Sequence, residues 1–472
     1  MYAPDFEVVR MLSEHPDPAH VWDTLVAEGT PLIDADSTRM TFLIESTAPA
    51  VHLWINRLTD KERHDLGVMQ HVPGLPYWVK TVAIPPDLIA SYCFRLTDST
   101  HRPPGHNTFP HLRDPHARFG AVVTDEDHRL GTSLILGANA TVGQEWRALN
   151  PQIPPRVQRG AVAVGHEVVP SYFFAPAVPM RNVPVLVLLD ADIWFERMHL
   201  DQALDVAISQ GRVPPVAVVG IGFHNSQQRA RLLNPSATSM GVVLDGLFEW
   251  AQTSAVRLGV DIDCEQVVIA GQSLGGLAAL NAAMAEPRRF RFVIASSPSL
   301  WWHPGKSPSP KDLITQSQPW FVEKVAHTKP HSGDAHTNQA AHDGGKTDTP
   351  TAPNHAETRE KYTSYTLRTP GKAAWISPEI NQQSQLPPAY LSVGIREGLS
   401  VAHMHGLQRA MNSIGWANTL DVADGGHDLA WWREALITHL GHALRQMPNA
   451  EVNFLIHQFT TEHSSTGHSA TE

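Results

Sequence analysis

Hydrophobic positions along the chain follow two different patterns. In residues 41–97 they fall in short clusters, TFLIE, AVHLWIN, YWVKTVAI and SYCFRLT, parted by turn formers such as Asp60 and the Pro73-Gly74 pair. Short strands divided by turns predict an antiparallel β-sandwich. Residues 101–155 are rich in Pro, His, Asp and Gly, which predicts a loop-rich connection. From about residue 161 the runs VPVLVLLD, PPVAVVGIG, CEQVVIAG, RFVIAS and AYLSVGI are apolar without alternation, as strands covered on both faces of a parallel sheet are. Helix-length segments separate them at 194–210, 240–257, 273–285 and 403–414, and Met404, Leu407, Met411 and Ile414 make one stripe of the last. Strands alternating with helices predict a mostly parallel α/β sheet with right-handed crossovers.

The pattern divides the chain into a sandwich over 1–155, an α/β unit over 156–446 and a flexible tail over 447–472. Within the α/β unit, 304–386 interrupts the alternation, and its middle has almost no large apolar residues to offset the entropy of ordering it. It is expected to be a disordered insertion. Its histidines, His327, His331, His336, His342 and His355, are irregularly spaced and read as part of a solvated linker rather than a metal site.

Composition changes this picture only by exclusion. At 472 residues the chain exceeds one ordinary core, in keeping with two units. The formal net charge of -11 disfavours nucleic acid and anionic membrane as partners. Cys93 and Cys264 stand in no CxxC or metal-type spacing and read as reduced thiols. The first residues, MYAPDFEVVRMLSEHPDP, lack a basic and then apolar signal pattern, and no run approaches the roughly 20 apolar residues of a membrane span. The expected location is cytoplasmic.

The chemistry concentrates at VVIAGQSLGGLAAL. Gly271-Gln272-Ser273-Leu274-Gly275 is a GxSxG pattern that follows an apolar strand and opens an Ala- and Leu-rich helix. That is the setting of a nucleophile elbow, so the α/β unit is expected to be an α/β-hydrolase domain with Ser273 as nucleophile. In this fold the chain order is serine, acid, histidine. His427, in DVADGGHDLAWW, lies where the last loop of the sheet delivers a base, and Glu397, directly after AYLSVGI, lies where the acid belongs. The alternative for Glu397 is an ion pair with Arg396 that leaves a Ser–His dyad. Leu274 supplies one oxyanion N–H by position. The second comes from Ala191, Asp192 or Ile193, with Asp192 preferred.

Several segments in the same order resemble the enterochelin (enterobactin) esterases, a family of esterase-D-like α/β hydrolases. They are LLDADIWFERM, AGQSLGGLAAL, SSPSLWW, GIRE and DGGHDLAWWREAL, together with VHLWINRLTD and SYCFRLTD in the N-terminal region. The resemblance implies cytoplasmic hydrolysis of a ferric catecholate siderophore trilactone, with Ser273, His427 and Glu397 as triad. It implies no cofactor, since any iron arrives with the substrate. It also places Trp301 and Trp302 near the catechol site, where indole faces stack on flat rings; the rival reading is that they pack the core. Two departures stand out. The family's Gly-Gln after LLD is Ala191-Asp192 here, and its His-Arg-x-x-Glu-Leu appears as Gln228-Arg229-Ala230-Arg231-Leu232-Leu233. Arg229 is retained as a partner for an anionic complex, with Arg231 second. Other esterase-D-like ester or thioester hydrolysis, and a non-catalytic siderophore- or carbohydrate-binding protein, are the alternatives.

Overall fold

In a computed structural model, the structure describes residues 4–98, 111–125, 129–147, 149–150, 152–177, 180–235, 240–305, 308–316, 318–328 and 386–448. An eight-stranded sheet organises the larger part. Its strands run in the order Gln158–Val164, Glu167–Phe174, Ala217–Ile221, Val183–Leu189, Ile262–Gln272, Phe292–Ser296, Ala389–Gly394 and Asn418–Ala423. The first two form an antiparallel hairpin whose second strand runs antiparallel to Ala217–Ile221, and every later pairing is parallel. Unbroken apolar runs serve this sheet because both faces are covered. Val185, Val187 and Leu189 face a core shared with Met240–Arg257, Leu274–Ala285 and Leu399–Ser413, while Leu186 and Leu188 face Leu200–Ser209 and Leu429–Arg445.

Two antiparallel sheets form the N-terminal part. Leu32–Ile33, Arg39–Glu45, Tyr77–Ala83 and Gln70–His71 make one; Ala50–Ile55, Ile89–Thr97, Gly131–Leu136 and Ala121–Thr124 make the other, with His111–Leu112 added on Ile89–Thr97. Met40, Phe42 and Ile44 of the first meet Leu53, Ile55, Tyr92 and Phe94 of the second in a shared core, so the expected sandwich is present. Helices Pro4–Glu14 and Pro18–Val26 cover the outer face of the first sheet, where Trp22 stacks on Tyr77 at 4.2 Å. The second sheet packs outward through Ile89, Val122 and Leu134 against Trp431 of the last helix.

Three expectations change. Residues 101–155 contain strands Ala121–Thr124 and Gly131–Leu136, each too short to stand out among prolines and histidines. The segment 194–210 is not one helix but a π-turn, Ile193–Arg197, and a helix, Leu200–Ser209, parted at His199 with its left-handed φ of 55°. The segment read as an insertion begins with ordered helices, Asp312–Thr315 and Trp320–Ala326, the second burying Phe321, Val322 and Val325 in the core. Residues 329–385, with His331, His336, His342 and His355, and the tail from 449 lie outside the described residues.

Candidate active site

The central strand Ile262–Gln272 ends in a turn whose geometry explains its glycines. Ser273 has φ 56° and ψ -123°, a strained left-handed position for a residue with a side chain, and it caps the helix Leu274–Ala285. A Cβ on Gly271 would lie 2.4 Å from the Gly275 carbonyl carbon, and one on Gly275 would lie 3.1 Å from Asp190 Oδ2. The Ser273 N–H donates to the Ser296 carbonyl at 2.9 Å, tying the turn to the neighbouring strand. Leu274 carries the first N–H of the helix, among those with no carbonyl one turn back to accept them.

Three predicted side chains meet there. Ser273 Oγ lies 2.9 Å from His427 Nε2, and His427 Nδ1 lies 2.7 Å from Glu397 Oε2. A carboxylate can only accept, so Nδ1 carries the proton, which leaves Nε2 of the neutral ring to accept from the serine hydroxyl. Glu397 is 5% exposed. Burial alone would push its carboxyl up, yet the charge and hydrogen bond of His427, then the hydrogen bonds of Ser297 and Gly394, hold it below the ordinary glutamate value. Arg396 does not compete for it, because that guanidinium pairs with Asp424 at 2.6 and 3.1 Å. The arrangement is able to move a proton off a hydroxyl and stabilise the imidazolium that results.

Residues from the N-terminal sheets hold the histidine loop. Asn56 Nδ2 donates to the His427 carbonyl at 3.1 Å. The Ser91 N–H and hydroxyl donate to Asp428 Oδ2 at 2.6 and 3.0 Å, while Asp428 Oδ1 accepts the Ala430 N–H at the start of the last helix. Ile89 N–H donates to the Asp424 carbonyl at 2.9 Å. The Trp432 ring stands edge-on to the imidazole, centroids 4.7 Å apart.

A cleft of about 780 Å³ opens on Ser273 and His427. One wall carries Asp190, Ile193, Arg197, Arg229, Gln272 and Trp432, and the other Asn56, His111, Val123, Asp125, Leu130 and Thr132 of the N-terminal sheets. Arg229 lines the cleft as expected, but it is tied to Asp190 at 2.5 and 2.8 Å, and Asp190 also accepts from Gln272 Nε2. Arg231 points elsewhere, an exposed side chain pairing with half-buried Glu167 at 2.9 Å. Trp302, 5% exposed, is a core residue set edge-to-face on Trp320, and Trp301 packs half-buried against the same core. Neither tryptophan is among the described residues that line the cleft: Trp302 is set on Trp320, and Trp301 packs against the core. Of the three oxyanion candidates after VPVLVLLD, Ile193 is removed: its N–H is used by the Asp190 carbonyl at 3.0 Å. The Asp192 side chain is half-buried, and burial, then the Asp190 charge, push its carboxyl up to about 6.

Sequence reasoning missed Ser297, Ser299 and Trp432, which surround the triad, and Asn56 and Ser91, which hold its loop. The repeated serines of SSPS were a visible signal for the first two; nothing local marked Asn56 or Ser91. Among the described residues no three His, Cys, Asp or Glu side chains are placed to hold a metal ion, and no helix is long and apolar enough to cross a membrane.

Known proteins share this architecture. The model of the Esterase family matches residues 167–443. The chain is 26% identical over 434 residues to the iron(III) salmochelin esterase of Escherichia coli O6:H1, covering 87% of this chain and 89% of that protein. It is 28% identical over 313 residues to the iron(III) enterobactin esterase of Dickeya dadantii, covering 60% and 71%. The structure of ferric enterobactin esterase from Salmonella typhimurium superposes with a TM-score of 0.62 over 90% of this chain and 98% of that one, at 19% identity, and so shares its fold. The chain belongs to the Esterase family and is a carboxylic ester hydrolase, similar along most of its length to iron(III) salmochelin and enterobactin esterases.

Proposed function

We propose that this protein is a serine esterase that hydrolyses the ester backbone of catecholate siderophores of the enterobactin type, as the names of its relatives suggest. The observation that carries the reading is the hydrogen-bonded chain Ser273–His427–Glu397, whose serine and histidine line a cleft about 780 Å³ in volume. His427 takes the Ser273 proton as Oγ attacks a lactone carbonyl. The N–H groups of Leu274 and Asp192 hold the tetrahedral oxyanion, and the ester oxygen leaves with the proton returned by His427. Water activated by the same histidine then releases the opened chain. Iron belongs to the substrate, and the chemistry calls on no resident cofactor. Arg229, on the cleft wall, is the cation offered to an anionic complex. The two units, 1–155 and 156–446, act together, since both line the cleft. The free cysteines Cys93 and Cys264 suit a cytoplasmic setting.

The test is incubation of the protein and its Ser273→Ala variant with iron-loaded and iron-free enterobactin, with products separated by chromatography. Linear trimer, dimer and monomer from the wild type alone are expected. Cleavage of a simple aryl ester without cleavage of either siderophore form would remove the substrate assignment and leave the esterase.

A further inference from the structure

Residues 296–299, Ser-Ser-Pro-Ser, leave the strand Phe292–Ser296 beside the nucleophile turn, and three of the four side chains are hydroxyls buried to 4%, 2% and 1% exposure. A buried hydroxyl needs a partner, so what these three touch is informative. Ser296 Oγ accepts from Ser392 Oγ at 2.9 Å and its carbonyl accepts the Ser273 N–H, so it joins the strands around the elbow. Ser297 Oγ donates to Glu397 Oε1 at 2.5 Å and accepts from Trp432 Nε1 at 3.0 Å. Ser299 Oγ lies 3.1 Å from Ser273 Oγ, and the Ser299 N–H donates to the Ser273 carbonyl at 2.9 Å. Because Ser273 gives its one proton to His427, the Ser299 hydroxyl is the donor in this contact.

We infer that this turn is a clip that sets both ends of the triad at once: Ser299 fixes the reacting oxygen, and Ser297 fixes the acid. The inference rests on Ser273 being the nucleophile. Its backbone is built for the task. Ser297 sits at a left-handed φ of 44° with its N–H held by the Ser392 carbonyl at 2.7 Å. The turn lies so close to the elbow helix that a Cβ on Gly276 would come within 3.2 Å of the Ser296 carbonyl oxygen and 3.3 Å of Pro298 Cα. A left-handed residue with a side chain persists where the surroundings over-determine it, and here the side chain binds the acid.

The two hydroxyls act differently. Ser299 touches the reacting atom. Its proton, donated to Oγ, orients the Ser273 lone pairs so that the Ser273 proton points at His427. When the acyl–Oγ bond breaks in deacylation, the same proton stabilises the oxygen that regains its charge before His427 returns the proton. Ser297 is a positioning residue. The groups facing Glu397 are His427 from the loop before the last helix, Ser297 from this turn, and the Gly394 N–H at 2.9 Å. Loss of the Ser297 donor leaves the carboxylate less stabilised and the Glu397–His427 pair holding its proton more tightly.

The experiment measures kcat and KM for an activated aryl ester across pH, with thermal melts, for Ser299→Ala, Ser297→Ala, Ser297→Gly and the double variant Ser297→Gly with Ser299→Ala. Glycine at 297 suits the left-handed backbone, so it removes the hydroxyl and keeps the turn even where alanine does not fold. Ser299→Ala is expected to lower kcat about tenfold at unchanged KM and an unchanged pH profile. Ser297→Gly is expected to lower kcat by a similar factor and to move the acid limb of the profile to higher pH. The double variant should lose less than the product of the two, as parts of one clip do. Single variants within twofold of the wild type, a rise in KM in place of a fall in kcat, or fully multiplicative losses would each overturn the clip. Undiminished activity in Ser273→Ala would instead overturn the nucleophile assignment on which it rests.

Discussion

Two buried glutamates, Glu397 in the candidate active site and Glu434 on the last helix, have nearly the same exposure, 5% and 3%, and opposite titration behaviour. Glu397 is held below its ordinary value, with His427 as the group that outweighs burial. Glu434 is pushed up to about 7, because burial meets only partial compensation. One of its oxygens accepts the Gly143 N–H at 3.0 Å; the other has no hydrogen-bond partner among the described residues, and the Arg433 guanidinium stays 3.9 Å away. Glu145, fully buried beside it and paired with Arg212, adds a like charge. Asp428 refines the contrast. It accepts three hydrogen bonds, from Ser91 twice and from Ala430, and its carboxyl is still raised by burial. At Asp428 these donors do not reverse desolvation, whereas at Glu397 the contact with His427 does. That separates a carboxylate arranged for chemistry from one merely enclosed.

The comparison breaks first, and most visibly, at Glu397. Glu397→Gln keeps the shape but forces the amide N–H2 or a weaker acceptor toward His427 Nδ1, so kcat should fall on the order of 10⁴-fold with little change in KM. Steady-state kinetics on an aryl ester would check this, and retention of more than a tenth of kcat would favour a Ser–His dyad. Glu434→Gln should leave kcat within twofold. Its effect belongs to stability. A carboxyl raised from 4.5 to about 7 binds protons more tightly when folded, so the fold loses stability as pH rises through that window and stays lower above it. At 1.36 kcal/mol per unit the ceiling is about 3 kcal/mol, and urea unfolding at pH 5 and pH 8 should show a smaller loss of stability in Glu434→Gln than in the wild type. The sign is reversed for Glu397, whose contribution is present above its ordinary value of 4.5 and is lost as the pH falls through its lower folded value.

What was legible beforehand follows the same division. Ser273, His427 and Glu397 could be read because each sits at a strand end that one fold places in fixed order, and because glycines mark the turns. The unbroken runs gave the parallel sheet for an equally physical reason, coverage on both faces. Trp301 and Trp302 were ambiguous in sequence, since paired aromatics after a strand look alike whether they face a cleft or pack against a core, as Trp302 does on Trp320. Arg231 misled because an exposed arginine finds whichever acid lies near, here Glu167. The grip of the N-terminal sheets on the histidine loop was illegible, as Ser91 and Asp428 stand 337 positions apart and Asn56 and His427 371 apart. No local pattern encodes such contacts; only the packing of Ile89, Val122 and Leu134 on Trp431 creates them.

That grip supplies the smallest and most discriminating effect. Ser91 donates to Asp428 Oδ2 through both its N–H and its hydroxyl, so Ser91→Ala removes one donor of two and should cost about 1 kcal/mol of stability. If the N-terminal sheets served only to bind substrate, a loss there would raise KM and leave the reactivity of Ser273 untouched. If they hold the base, Ser91→Ala loosens the segment that carries His427, and the loss appears in kcat, a few-fold, even with a small substrate that the sheets never touch. Labelling of Ser273 by a fluorophosphonate, which requires the base but no cleft wall, makes the distinction. Slower labelling in Ser91→Ala and in Asn56→Ala, with unchanged KM for a small ester, would make the sandwich part of the catalytic apparatus; unchanged labelling with a raised KM for the siderophore would confine it to the cleft wall.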